Sequence, residues 1–301
     1  MVNRRKLIKG VVTASAVAIS GCSGDEGDPT GSTESEESDE ETDTETSDGG
    51  TASEETASEE AEFEFVEWTT PSEVELNEEI EVGMVVKNTG SQAGDYTAPL
   101  YQRTPNSDWT RVSEVDFGTI QPDEEVEMVF EDVAYSYINR YALRLGDFQK
   151  TSVIQVLSAK IDWGTEYTTP DGYIISVDEP ELQDSYEYED YNGEVSPKEP
   201  DSGGQWAFLN AYVKNETGQS KYSPLAGDIN LLYGSSQADG ETILIDEPIN
   251  KGEPFEGGEL QPDVERSGWI AYEIPADVST DDLTVAWSKT TIEGEISVNW
   301  E

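Results

Sequence analysis

One thiol, no imidazole and 66 carboxylates set the chemistry open to this chain of 301 residues. Without histidine there can be no Ser–His–Asp triad, no Cys–His pair and no zinc site built on His. With Cys22 as the only cysteine, a Cys cluster and an intrachain disulfide are excluded too. Hard oxygen ligands are abundant. The run "EDYNGE" places Glu189, Asp190, Asn192 and Glu194 around a glycine, a donor set that suits Ca2+. It lacks the spacing of an EF-hand loop, and a solvated acidic loop is the simpler reading. Carboxylate pairs of the kind used in glycoside hydrolysis can be drawn anywhere in so acidic a chain, so drawing them carries no information. Asn215-Glu216-Thr217 is the single N-glycosylation sequon. The expectation is a protein that is not an enzyme and uses no cofactor.

The charge balance narrows the class further. Seventeen Lys and Arg face 66 Asp and Glu, for a formal charge of −49. Nucleic-acid binding needs a basic stripe that displaces counterions, and an anionic membrane surface would repel the folded part. Residues 23–62 hold 17 acidic and no basic residues, leaving 49 acidic and 13 basic residues for 63–301. A folded region so acidic repels itself in dilute buffer, whereas molar salt shortens the Debye length to about 3 Å. The composition resembles that of proteins from extreme halophiles.

The lone cysteine has a specific setting. In "MVNRRKLIKGVVTASAVAISGC" a basic start (Arg4, Arg5, Lys6, Lys9) precedes an apolar stretch too short for an ordinary transmembrane helix. "NRRKLIK" resembles the twin-arginine export signal, with Asn3 and Leu7 departing from its pattern. "ISGC" resembles a lipobox, in which the thiol of Cys22 takes a diacylglyceryl chain. The resemblance implies a signal peptide over 1–22, cleavage before Cys22, and a mature protein held by its lipid to the outer face of the cell membrane.

Residues 23–61 are Ser, Thr, Glu and Asp with almost nothing apolar. Such a segment cannot bury enough surface to offset its ordering entropy, so a disordered, self-repelling spacer is expected. From residue 62 the period turns to two. In "EIEVGMVVKN", Ile80, Val82, Met84 and Val86 alternate with their neighbours, and in "EEVEMVFEDV" Val126, Met128 and Phe130 do the same. Alternation broken at short spacing by Gly, Pro, Asn and Asp predicts antiparallel strands with one wet face.

Two phrases then occur twice. "VVKNTG" (85–90) leads to "QPD" (121–123), and "YVKNETG" (212–218) leads to "QPD" (261–263). Asn and Gly tolerate turn conformations and Pro fixes φ, so both phrases mark corners. Their recurrence predicts an all-β protein of two tandem Ig-like antiparallel sandwiches, over 62–157 and 158–301.

"EVGMVVKNTGSQAGDYTAPLY" resembles the cell-adhesion-related CARDB-type domains of bacteria and archaea. "WAFLNAYVKNETG", "ELQPDVERSGWIAYEIPADV" and "LTVAW" resemble the secreted Ig-like family catalogued as domain of unknown function 4352. Asp263 stands where that family has Gly, and Tyr272 where it has Phe. The resemblance implies an exposed Ig-like fold and brings no catalytic residues.

In "QWAFLNAYVKN", Leu209, Ala211 and Val213 fall on the inward face, which puts Trp206, Phe208 and Tyr212 on the other. Either these aromatics form an exposed binding face, or the acidic insert over 178–204 or the neighbouring domain covers them. The expected partners are the membrane, through the lipid, and an envelope protein or glycan. The role is binding or adhesion at the envelope, with two alternatives: a purely structural spacer, and an accessory or substrate-binding lipoprotein of a transport complex.

Overall fold

The computed structural model describes residues 3–7 and 60–301, save 202, 239, 242–247 and 250. It is all-β, and among the described residues the only helical turns are two of 3-10 type, Ala226–Asp228 and Thr280–Asp282. The strands of the first half are β1 (Asn3–Leu7), β2 (Phe63–Thr69), β3 (Glu73–Glu75), β4 (Ile80–Asn88), β5 (Gly94–Arg103), β6 (Thr110–Ile120), β7 (Glu125–Val133), β8 (Arg140–Leu145) and β9 (Thr151–Leu157). They form two sheets, ordered β1-β7-β4-β2 and β3-β9-β8-β5-β6. The alternating residues read from the sequence are the ones that fill the space between them. Val82, Met84, Val86, Val126, Met128 and Phe130 are buried from the first sheet, and Leu100, Val115, Leu143 and Ile154 from the second.

The second half begins with β10 (Ala159–Ile161), β11 (Tyr167–Thr168), β12 (Tyr173–Val177), β13 (Glu181–Gln183), β14 (Tyr186–Glu189) and β15 (Val195–Lys198). It continues with β16 (Gln205–Asn215), β17 (Lys221–Ser223), β18 (Ile229–Tyr233), β19 (Ser236–Ala238), β20 (Gly240–Glu241), β21 (Gly258–Leu260), β22 (Glu265–Ile274), β23 (Leu283–Thr290) and β24 (Glu295–Trp300). One sheet runs β10-β24-β23-β18-β19 and the other β11-β12-β16-β22-β20, with β13 also on β16. Leu209, Ala211 and Val213 point into this core against Trp287, Val298 and Trp300.

The chain passes from β9 in one sandwich to β10 in the other across Ser158, and the two halves touch. Asn77 Nδ2 donates to Tyr167 Oη at 3.1 Å, and Ile138 N donates to Glu295 O at 2.7 Å. Tyr135 and Tyr141 stack at 4.4 Å between ring centroids on the first sandwich's side of this junction. Burial is the larger cause that pushes the Tyr141 hydroxyl up to about 12.

The repeated phrases prove to be one corner built twice. Asn88 ends β4 and Asn215 ends β16, and neither side chain is exposed at all (0 % each). Asn88 Nδ2 donates to Gln92 O (2.7 Å) and Ile120 O (2.9 Å), and Asn215 Nδ2 donates to Gln219 O (2.8 Å) and Leu260 O (3.0 Å). Ile120 and Leu260 are the residues just before each "QPD". Each corner is closed by the backbone as well, with Asp123 N on Asn88 O and Asp263 N on Asn215 O at 2.9 and 2.8 Å. Asp123 and Asp263 both sit at φ 59°, in the left-handed region open to Gly, Asn and Asp. That explains why Asp can stand at 263 where the resembling pattern has Gly.

Candidate functional site

The sequence points to five places of interest, and the structure treats each differently. Cys22 lies outside the described residues. Arg4 and Arg5 lie in β1, whose backbone pairs in parallel with the edge of β7, Arg4 opposite Glu127 and Arg5 opposite Met128.

Asn215 as a glycan acceptor is corrected. Both amide hydrogens of its side chain are committed to Gln219 O and Leu260 O, and the residue is fully buried. A glycan would have to replace a hydrogen of the amide that ties the corner together.

At the weak calcium candidate, the structure has an exposed hairpin tip, the simpler of the two readings. Glu189, Asp190, Asn192 and Glu194 make the tip of the β14–β15 hairpin. Asp190 Oδ1 accepts the backbone N–H groups of Asn192 (2.8 Å) and Glu194 (2.9 Å), and Asn192 Nδ2 donates to Asp190 Oδ2 at 3.2 Å. These bonds, the Glu194 N–H foremost, hold the Asp190 carboxyl below its usual range. Its oxygens cap the turn, and no group of three carboxylate ligands converges among the described residues.

Of the two alternatives for the aromatic face, cover by the insert is the one the structure shows. Trp206 (2 % exposed) and Phe208 do lie opposite the core, as the alternation requires, but they are covered. With Tyr186, Trp269 and Ala271 they form a second apolar cluster on the outer side of the β16–β22 pair. Tyr186 comes from the hairpin inside the 178–204 insert and meets Trp206 and Phe208 edge-on, at 5.3 and 5.6 Å between centroids. Lys251 lies over the other side of the cluster, 4.8 Å from the Phe208 ring, and pairs with Glu181. Trp269 Nε1 donates to Gly252 O at 2.9 Å. Of the three residues, Tyr212 alone reaches solvent, its hydroxyl donating to Glu265 Oε2 at 3.0 Å. The insert is therefore a lid on a second core.

A different face carries the unusual chemistry. Of the five arginines in 63–301, four lie within residues 103–144. The ladder register puts them on one side of one sheet. Tyr101 is opposite both Arg144 and Arg111, while Arg103 is opposite Ala142, two residues from each of Arg140 and Arg144. The residues between them, Leu100, Leu143 and Leu145, are buried, so this is the outer face of the β9-β8-β5-β6 surface. Trp109, just before β6, is held by two guanidinium groups, with Arg103 Cζ and Arg144 Cζ each 4.6 Å from its ring centroid. Arg144 Cζ also lies 5.0 Å from the centroid of Tyr101. Arg111 pairs with Glu114. The guanidinium groups of Arg103, Arg140 and Arg144 make no ion pair or hydrogen bond with a described residue, and Arg144 Nε is buried without a partner.

In a region with 49 carboxylates for 13 cations, these three neighbouring arginines leave their charge to aromatic rings and solvent. Aromatic stacking fixes the planar forks of two of them and leaves their N–H groups open. The sequence reading missed this face. The one signal in the sequence is compositional, four of those five arginines falling within 42 residues, and it does not say that they share a face.

A scan against protein-family models finds no match, and no curated protein matches the chain. Among solved structures, an uncharacterized beta-sandwich protein from Clostridium difficile 630 is similar, at 16% sequence identity and a TM-score of 0.31, over 48% of this chain and 95% of that one. The chain is an all-β protein built of β-sandwich sheets.

Proposed function

We propose that this is an exported lipoprotein of a halophile's cell surface, held by lipid on Cys22, whose two Ig-like sandwiches bind an envelope partner without catalysis. The twin-arginine-like start, the "ISGC" sequence around the only cysteine and the acidic spacer behind it support the address. The CARDB-like and 4352-like sequence patterns are in keeping with exposed sandwiches outside the cell. One observation carries binding over a spacer role, namely the outward arginine face of the first sandwich with its uncommitted guanidinium groups.

The spacer reading is favoured for the second sandwich by the burial of Trp206 and Phe208.

The anchor has a direct test. With Cys22→Ser expressed in a halophilic host, the protein is expected to leave the membrane fraction or to accumulate as uncleaved precursor. Two acyl chains hold a protein stably and one only marginally, so loss of the diacylglyceryl group removes the attachment. Variant protein that stays quantitatively in the membrane as mature chain would rule the anchor out.

Salt adaptation gives a second expectation. Residues 63–301 carry 13 basic against 49 acidic groups, an excess of 36 negative charges. The melting temperature of the full chain is expected to rise as NaCl or KCl approaches molar concentration, because screening removes self-repulsion. A melting temperature independent of salt would show that the acidity serves another purpose.

A further inference from the structure

The geometry points to the outer face around Arg103, Trp109, Arg140 and Arg144 as a docking surface for an extended, carboxylate-rich polypeptide segment of the partner. The inference deepens the binding role proposed above and rests on it.

Three features favour that occupant. The first is charge. A cationic patch on a chain of net charge −49 selects anionic partners by contrast with the rest of its own surface, which repels them. The second is the kind of cation. The guanidinium fork matches a carboxylate bidentately, and forks already stacked on Trp109 and Tyr101 lose little further freedom when they bind. Direct bidentate contacts also persist in molar salt, where a Debye length of about 3 Å is no shorter than the contact itself.

The third feature is spacing. Arg140 and Arg144 lie on the same side of β8, four residues apart, which is about 13–14 Å along a strand. An extended chain puts side chains four residues apart on one side at that same separation. Arg103 and Tyr101 lie on β5, the neighbouring strand roughly 5 Å away. A stacked sugar fits less well. Arg103 and Arg144 already lie over Trp109, and Arg144 over Tyr101, so the rings hold the forks instead of offering a bare face.

The test is binding of poly-L-glutamate to the detergent-extracted full chain in molar NaCl, with polygalacturonate in parallel. Wild type is expected to bind polyglutamate in preference to polygalacturonate. Arg103→Gln/Arg144→Gln is expected to weaken polyglutamate binding at least tenfold. Lys160→Gln/Lys221→Gln, which removes the same two charges from the second sandwich, is expected to leave it unchanged. Should the arginine double variant fail to fold, Arg103→Lys/Arg144→Lys keeps the charge and loses the fork, and is expected to weaken binding severalfold. Binding of polygalacturonate alone would overturn the inference in favour of an acidic glycan. Absence of binding, or equal loss in the lysine control, would overturn it outright. The measurement is made on purified protein, so it does not depend on the lipid at Cys22, and the fractionation test speaks to the anchor separately.

Discussion

Trp206→Ala should destabilise the second sandwich by about 3–5 kcal/mol, the range of large aromatic truncations in a packed core. The indole is 2 % exposed and lies between Tyr186 and Phe208, at 5.3 and 6.2 Å between centroids. Truncation would leave a void under the β14–β15 hairpin that Tyr186 can only partly fill. The hairpin would loosen first, because Tyr186 is its one buried residue and, apart from partly buried Tyr188, nothing else in its two strands packs on the cluster. The indole Nε1 is buried without a partner, so no hydrogen bond is lost with it and the loss is one of packing. Urea denaturation of variant and wild type in the same molar salt measures the difference. A change below about 1 kcal/mol, the size of an ordinary surface substitution, would mean that the insert does not cover this face in solution.

Asn215→Ala is expected to cost about 3 kcal/mol, and Asn88→Ala a similar amount in the first sandwich. Each substitution strands one buried carbonyl, Leu260 O in one corner and Ile120 O in the other, and removes a second, part-buried bond to Gln219 O or Gln92 O. An unsatisfied buried acceptor costs about 1–3 kcal/mol, whereas the net value of a satisfied bond is nearer 1. Asn215→Asp should be worse still, since a carboxylate would face the two carbonyl oxygens with no hydrogen to donate. The same denaturation assay, read at both positions, would count against the shared corner if either alanine variant were neutral. It also bears on glycosylation, because a residue whose amide is required by the fold is unavailable as an acceptor.

Much of the architecture was legible in the sequence because a half-buried strand writes its burial as alternation. Val82, Met84 and Val86 are the core of β4 for the same reason that Leu209, Ala211 and Val213 are the core of β16. The repeated "KN…QPD" pair was readable as a corner, since Asn, Pro and Asp are turn residues for physical reasons. Its hydrogen bonding was not, because it joins residues 32 and 45 positions apart. Alternation also placed Trp206 and Phe208 on the outer face correctly. Whether that face meets water depends on where a polar, irregular insert folds back, and the short alternation of Tyr186 and Tyr188 in "SYEYEDYNGEVSPKEP" marks a strand without saying what it covers.

The arginine face failed to show for a related reason. Arg103, Arg111 and Arg144 belong to three strands that become neighbours only through the ladder. Arg144 meets Arg103 across Trp109 at a sequence distance of 41, and no local pattern links them.

The most direct measurement of the central claim is the intact mass and N-terminal fragment of the protein purified from membranes of a halophilic host. The mature chain is expected to begin at Cys22 and to carry a diacylglyceryl group on its thiol. A chain that retains Arg4 and Arg5, or that begins elsewhere with Cys22 unmodified, would contradict it.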